Sequence, residues 1–354
     1  MISRTYAQTI SQLGFVELAA CVDEDADRAE ELASAFGAQP RSFDAVLHDP
    51  QIDAVVNLTP PLAHAAVSGA SLEAGKATFS EKPLGVEFAE GERLVALSTQ
   101  NGTPLGCAPD TFLGAGLQTA RAVIDRGDIG EPVAANAFML GSGPESWHPN
   151  PSIFYQHGAG PLLDMGPYYL TTLVQLLGPA RAVSASARVS RAQRPILSEP
   201  RHGELIDVEV PTHVGSLVEF VSGPIATLVT SFDVQATRYF NIEVYGTEAT
   251  LSVPNPNTFG GPVRIKRNGD DVWTDIELLP ARLPQQRGIG LADMLWAQRT
   301  GRAHRTSSAL ALHVLELMTS ALASAEQGRR FDLATRCERA APLPTNLAAN
   351  TFDD

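Results

Sequence analysis

The sequence predicts an α/β chain in two parts: a doubly wound parallel sheet, then an α+β region built on a large, mainly antiparallel sheet open on one face. Three observations predict it. Through the first third, short apolar strand patterns alternate with amphipathic helical patterns, which is how parallel sheets with crossover helices read. From about Glu131 the pattern changes to many short strands rich in β-branched and aromatic residues. Turn signals such as Ser222-Gly223-Pro224, Gly246-Thr247 and Asn268-Gly269 divide them. Finally, 354 residues with 44% hydrophobic content are enough for two domains and a large core. The expected division is a dinucleotide-binding domain over 1–128 and a substrate-binding and oligomerisation domain over 129–337. Helices within 288–327 are expected to pack back on the first domain, and 338–354 forms a loose tail.

The elements follow in order. Ile2–Leu13 reads as a helix with Ile2, Tyr6, Ile10 and Leu13 near one face, ended by Gly14. Phe15–Val22 is a strand followed directly by Asp23. Glu24–Phe36 is helical. Asp53–Leu58 is a buried strand broken by Thr59-Pro60-Pro61, and His64–Glu73 is helical. The strand starting at Ala77 ends in Glu81-Lys82-Pro83. A helix at 87–99, a strand at 104–108 and a helix at 111–125 complete the first part. The second part starts with a strand at Val133–Leu140 and a loop, Gly141–Gln156, rich in Gly, Pro, Trp and His. Gly160-Pro161 opens a helix that Gly178 closes. Strands are expected at 182–189, 214–221, 225–233, 240–245, 250–253, 263–266 and 272–278, and closing helices at 290–298 and 308–327.

Net charge is −14, which argues against nucleic acid or an anionic membrane surface as partner. An anionic ligand must then be held by local amides and helix dipoles. The three cysteines, Cys21, Cys107 and Cys337, are far apart, show no disulfide or metal-ligand spacing, and fit a reducing cytoplasm. No leader pattern and no apolar run of membrane-spanning length is read from the sequence.

One turn is missing. A dinucleotide-binding βαβ unit opens with a strand and G-x-G-x-x-G, whose amides hold a pyrophosphate. This chain begins inside the first helix pattern. The first strand lies mid-sheet in the doubly wound order, and its loss would leave two unpaired edges. Met1 is therefore expected to be an internal methionine, with the missing strand and turn upstream, on the order of ten residues away. Asp23, at the end of the second strand, suits the ribose hydroxyls of an adenosine and repels a 2′-phosphate, so NAD is expected over NADP. It equally suits an N-cap for the helix that follows.

The stretch Ala77–Leu84, Ala-Thr-Phe-Ser-Glu-Lys-Pro-Leu, holds the rest together. Its lysine stands at the carboxyl end of a strand, the edge where open α/β sheets bind ligands. Pro83 restricts the backbone there. Desolvation in such a crevice would lower the pKa of Lys82 and let it exchange protons near neutrality. From these residues alone, a surface loop lysine is the slightly better reading.

"SEKPL" after "EAGKATF", with "TPPLAH" (Thr59–His64) upstream, resembles the glucose–fructose oxidoreductase, inositol dehydrogenase and rhizopine-catabolism (Gfo/Idh/MocA) family over Ile2 to about Arg330. The resemblance implies a Rossmann-like first domain and a catalytic Lys82. It implies cofactor contacts from Asp23, Thr59, Pro60, His64, Glu81 and Lys82. The family's second-domain motif, Gly-Gly-Gly-x-Leu-x-Asp-x-Gly-x-His, maps its aspartate onto Asp164. Its histidine position holds Tyr168, a departure, since an unperturbed tyrosine titrates near about 10. Asp164 and Tyr168 are four apart and share a helical face. Tyr168 serves as acid/base with a pKa lowered by Lys82, or Lys82 moves the proton and Tyr168 orients the substrate, or the site is impaired. Trp147, His148 and Tyr155, from the loop before this helix, join Asp164 and Tyr168 as candidate substrate contacts, with Trp147 suited to stack on a sugar face. His148 or His157 could stand in for the missing histidine, and Asp233 could face the pocket or a subunit interface. No metal site is expected.

The implied activity is NAD-dependent hydride transfer at a secondary alcohol of a sugar, polyol or glycoside, by a homodimer or homotetramer. The alternatives are redox-assisted glycoside chemistry with tightly held NAD, or a catalytically impaired sugar- or nucleotide-binding relative.

Overall fold

Helices and short parallel strands alternate through the first part of the chain, in a computed structural model that describes residues 2–239, 241–280 and 285–344. Helix α1 (Ile2–Ser11) buries Tyr6, Ala7, Thr9 and Ile10. Strand β1 (Ala20–Cys21) pairs parallel with β2 (Gln39–Pro40) across α2 (Ala26–Phe36). The α2 cap is Asp25, whose carboxylate accepts the Asp27 and Arg28 N–H groups, and Gly37 closes the helix at φ 73°. After α3 (Phe43–His48), strands β3 (Ala54–Asn57), β4 (Ala77–Ser80) and β5 (Leu105–Cys107) form a parallel sheet with α4 (Pro61–Glu73) and α5 (Phe88–Asn101) as crossovers. The register aligns Asn57, Ser80 and Cys107, so three strands end at one carboxyl edge.

The expected strand Phe15–Val22 shrinks to Ala20–Cys21. Strand patterning becomes strand only where a neighbour supplies a ladder, and here β2 is the partner. Among the described residues no ladder joins the β1–β2 pair to the three-stranded sheet. The gap falls between β1 and β3, where the doubly wound order places its first strand. The expected helix at 111–125 is also broken. A 3₁₀ turn at Thr111–Leu113 passes Gly114 in an extended conformation before α6 (Ala115–Asp125). The loop around Phe259 and Gly260 presses directly on this point: a Cβ on Gly116 would lie 1.9 Å from the Gly260 carbonyl oxygen.

Among the described residues the second part holds a nine-stranded sheet, three α-helices and a separate two-stranded hairpin. It is built from β6 (Pro132–Leu140), α7 (Gly160–Leu177), β7 (Ala180–Arg188), the small hairpin β8 (Gln193–Pro195) and β9 (Leu205–Asp207), β10 (His213–Phe220), β11 (Ile225–Ser231), β12 (Asn241–Gly246), β13 (Ala249–Val253), β14 (Val263–Arg267), β15 (Thr274–Ile276), α8 (Ile289–Thr300), α9 (Ser308–Gln327) and β16 (Phe331–Asp332). The order is β15-β14-β13-β12-β6-β11-β10-β7-β16, antiparallel except for the parallel β6–β11 pair. The β8–β9 hairpin, β16, β2 and α3 went unread in the sequence. The expected strand start at Phe240 lies outside the described residues. Burial alternates along β10 and β11, so one face is covered and Leu217 and Ile225 stand out on the other. Helix α7 covers the inner face. All its residues are buried except Asp164 and Met165, which stay partly open.

Helix α9 corrects one expectation, because its 20 residues have the length and apolarity of a membrane span. It packs against α5, α7 and β7, and buries His313 and Glu316 along with Leu310, Leu315 and Met318. Glu316 accepts the Ala334 and Thr335 N–H groups. These are the contacts of a core helix. Ser307 caps it and Gly328 ends it. The largest apolar core among the described residues runs from Leu84, Leu94 and Leu105 through α7 and α9 to the inner face of the sheet.

Candidate active site

The site is assembled where β4 runs out. Glu81 N–H donates to the Asn57 carbonyl, which holds the loop after β4 against β3. The Glu81 carboxylate turns inward: it accepts the Tyr6 O–H at 2.8 Å and the Lys82 backbone N–H at 3.1 Å. Lys82 precedes a cis peptide bond to Pro83 and sends its side chain to α7. There Nζ donates to Asp164 Oδ1 at 2.8 Å and to the Asp164 carbonyl at 2.6 Å. One helical turn on, the Tyr168 ring lies with its centroid 5.3 Å from Nζ. Arg287 lies 5.7 Å from the centroid of that ring and donates to Tyr168 Oη at 3.0 Å and Asn257 Oδ1 at 2.5 Å. Below them Asp110, at the end of β5, accepts the Gly288 and Gly290 N–H groups at the start of α8.

Two electrostatic expectations are reversed. Burial does push the Lys82 pKa down, but the charges of Asp164, Tyr168 and Glu81 and the hydrogen bond to Asp164 outweigh it, and the pKa rises. Tyr168 is not lowered by Lys82 on balance. Burial of the phenol, helped by Glu81, outweighs the pull of Lys82 and Arg287, and its pKa is raised. Burial also lifts Asp110 to about 6, against the hydrogen bonds from Gly290 and Gly288. At neutral pH the Lys82–Tyr168 pair is thus an ammonium beside a neutral phenol.

The other sequence-derived candidates separate. Asp23 is exposed just beyond β1, with Oδ1 accepting Asp25 N–H at 2.9 Å. The capping role it was allowed falls to Asp25 instead. Thr59 bonds back to the Asn57 side chain, and Pro60 leads into α4 at the same edge. His64 is buried, its ring nitrogens 2.7 Å from the Pro83 carbonyl and 2.8 Å from the Thr59 carbonyl. It lies between two loops, and the Glu81 carboxylate points inward to Tyr6. Trp147 is 66% exposed, in an aromatic group with His148 and Phe154. His148 Nδ1 accepts the Asn150 N–H. Tyr155 is a correction: it is fully buried among Ile196, Ile206 and Phe232, against Arg194, and offers no surface to a substrate. Asp233 pairs with Arg194 at 2.6 Å and accepts the Thr212 hydroxyl. His157 pairs with Glu87 on the surface.

Tyr6, Asp110, Asn257 and Arg287 were missed. Tyr6 read as one more apolar residue of its helix. Arg287 carried only a faint signal, a cation just before the Gly-Ile-Gly that opens α8.

The donor set at this edge suits the two ends of a nicotinamide dinucleotide. Asp23 offers an exposed carboxylate for ribose hydroxyls, and Lys82 retains a third N–H beside an open side of α7. The chain carries no G-x-G-x-x-G turn for the pyrophosphate.

Comparison with known proteins agrees with this geometry. Residues 1–108 match the family model described as the oxidoreductase family, NAD-binding Rossmann fold, and residues 117–252 match that of the GFO/IDH/MocA C-terminal domain. Inositol 2-dehydrogenase 3 of Saccharopolyspora erythraea is 30% identical over 263 residues, covering 70% of this chain and 68% of that protein. The scyllo-inositol 2-dehydrogenase (NAD(+)) of Bacillus subtilis is 28% identical over 64% of this chain and 63% of its own length. An NAD binding oxidoreductase from Klebsiella pneumoniae superposes with a TM-score of 0.76 at 26% identity, covering 94% of both chains. Levoglucosan dehydrogenase in complex with NADH and L-sorbose shares the fold, with a TM-score of 0.80 at 21% identity over 94% of this chain and 95% of that one. With a parallel-sheet edge presenting Lys82 to Asp164, and family matches on both sides of that contact, this chain belongs to the Gfo/Idh/MocA family of oxidoreductases.

Proposed function

We propose that this chain is an NAD-dependent dehydrogenase acting on a secondary alcohol of a sugar, polyol or glycoside, with the chain divided near residue 128 into cofactor and substrate domains. The observation that carries this reading is the Lys82–Asp164 contact, which joins the carboxyl edge of the parallel sheet to the one partly open turn of α7. Inositol dehydrogenases among the relatives support the substrate class. The exposed carboxylate of Asp23 supports NAD over NADP, because a 2′-phosphate would meet a like charge.

When bound, the nicotinamide supplies or takes the hydride. The chain's own residues manage orientation and the proton. Asp164 uses two of the three Lys82 N–H groups and so aims the third. That N–H holds the oxygen of the reacting carbon. Because pairing keeps Lys82 charged, it donates to a carbonyl or developing alkoxide oxygen in reduction. In oxidation the hydroxyl proton needs Lys82 in its amine form, which a raised pKa makes scarce at neutral pH. Tyr168 borders the same oxygen, and the exposed Trp147 offers a ring for a sugar face. The outer face of the large sheet, with Leu217, Ile225, Val229 and Phe138, supports a homodimer or homotetramer. Three free cysteines support a reducing, cytoplasmic setting.

The test is a screen of inositols, aldoses and glycosides with NAD and NADP, with cofactor binding followed by calorimetry. Turnover with NAD is expected, abolished in Lys82→Met while NAD still binds. Absence of both binding and turnover would overturn the dehydrogenase reading. Near-full activity of Lys82→Met would remove Lys82 from the mechanism.

A further inference from the structure

A histidine carries two ring nitrogens and can accept at one while donating from the other. The tyrosine in its place has one oxygen and one hydrogen, so its use depends on what fills the oxygen's lone pairs. Here Arg287 Nη2 donates to Tyr168 Oη at 3.0 Å. A guanidinium accepts nothing, so the phenol hydrogen is not spent on it. Among the described residues no hydrogen bond runs from Tyr168 Oη to a protein acceptor. The guanidinium is itself fixed. Its side chain also donates to Asn257 Oδ1, its carbonyl accepts the Thr9 hydroxyl at 2.6 Å, and the next residue, Gly288, is held by Asp110.

We propose that Arg287 is a positioning residue: by filling the phenol oxygen as donor, it turns the Tyr168 hydrogen toward the oxygen of the reacting carbon. This rests on the dehydrogenase reading above. It gives that oxygen two donors, Lys82 N–H and Tyr168 O–H, converging from β4 and α7. Such a pair stabilises charge that develops on a carbonyl oxygen during hydride addition. The groups that bear on the phenol are Lys82 and Arg287, which favour phenolate, and Glu81, which opposes it. Tyr6 lies behind them, bonded to Glu81. Loss of Arg287 therefore removes one of two cationic influences and raises the Tyr168 pKa further.

The test is a double-mutant cycle on the full chain with a substrate from the screen. Tyr168→Phe and Arg287→Met are each expected to lower kcat about a hundredfold, with a smaller effect on KM. The double variant should be no slower than Tyr168→Phe within about twofold, because Arg287 acts through the phenol. Arg287→Lys, which keeps a donor, should recover part of the loss. A second readout needs no turnover. The chain has six tyrosines, and the phenolate absorbance titration of wild type minus Tyr168→Phe isolates Tyr168. In Arg287→Met that titration should move to higher pH. Additive losses in the cycle, or an unmoved phenolate titration, would overturn the proposal. If no substrate turns over, the dehydrogenase reading fails, and the titration alone decides whether Arg287 controls the phenol.

Discussion

Replacing Asp164 by asparagine removes one charge from the site and leaves its size and its main-chain acceptor in place. In the structure Lys82 Nζ lies 2.8 Å from Asp164 Oδ1, and the two side chains are only 15% and 24% exposed. At an effective dielectric of about 20, a pair at this separation attracts by roughly 6 kcal/mol. Residual solvent contact and the acceptor that asparagine retains reduce the difference between ammonium and amine to about 2–3 kcal/mol. Asp164 favours the charged form, so its neutralisation lowers the Lys82 pKa. At a fixed pH below that pKa, the free-amine fraction should rise about thirty- to 150-fold. The chain has three lysines, Lys76, Lys82 and Lys266, which makes competitive acylation with a trace reagent unusually clean. Lys266, on β14 in another part of the molecule, serves as the internal reference. The Lys82/Lys266 labelling ratio is expected to climb in Asp164→Asn. An unchanged ratio would show that Asp164 is not what keeps Lys82 charged, and the account of the site would fail at its first step.

Three further outcomes follow from packing and burial. Gly116→Ala places a Cβ 1.9 Å from the Gly260 carbonyl oxygen, a backbone atom that cannot rotate away; a loss of about 3 kcal/mol is expected, read as a lower denaturant midpoint at unchanged m-value. Asp110 rises from its usual 3.8 to about 6 on folding. A raised folded-state pKa means its contribution is fully present below the unfolded value and lost as pH climbs through the folded one. Wild type should therefore lose about 3 kcal/mol between pH about 4 and 6 relative to Asp110→Asn, and parallel stability curves would refute this. Arg194 is buried and pairs with Glu145 and Asp233 while donating to the Ser142 and Phe232 carbonyls. Arg194→Ala strands two carboxylates and should cost about 3–5 kcal/mol, with early proteolysis between Ser142 and Gln156. Wild-type resistance in that loop would show that the cluster does not hold it.

Much of the fold was legible because its signals are local. Helix α9 was read at its true ends, since Ser307 and Gly328 bracket an unbroken apolar period. The enrichment in β-branched and aromatic residues between turn signals announced a mainly antiparallel sheet. Where the reading failed, the missing information lay elsewhere in the chain. Phe15–Ala19 has strand composition but no ladder among the described residues, and composition does not report partners. The break at Gly114 is imposed by Phe259, far along the chain, whose backbone leaves no room for a Cβ there. Tyr155 looked like a pocket residue because it lies in an aromatic loop. It is a core residue because the β8–β9 hairpin, itself too short to notice, brings Ile196 and Ile206 over it.

The site divides along the same line: three side chains that the structure brings together were named from the sequence, while their charge states were misjudged. Lys82, Asp164 and Tyr168 could be found because each sits in a local motif. Their charge states could not, because these are set by pairs that span the chain: Lys82 with Asp164, Glu81 with Tyr6, Tyr168 with Arg287. Desolvation is the one influence a motif suggests on its own, and it alone argues for a lysine of lowered pKa. The structure adds a carboxylate at 2.8 Å, and the sign reverses. The consequence is functional. On the dehydrogenase reading proposed above, a lysine and tyrosine that both keep their protons would donate to an oxygen, and a proton would be accepted only against the pairing that holds Lys82 in place.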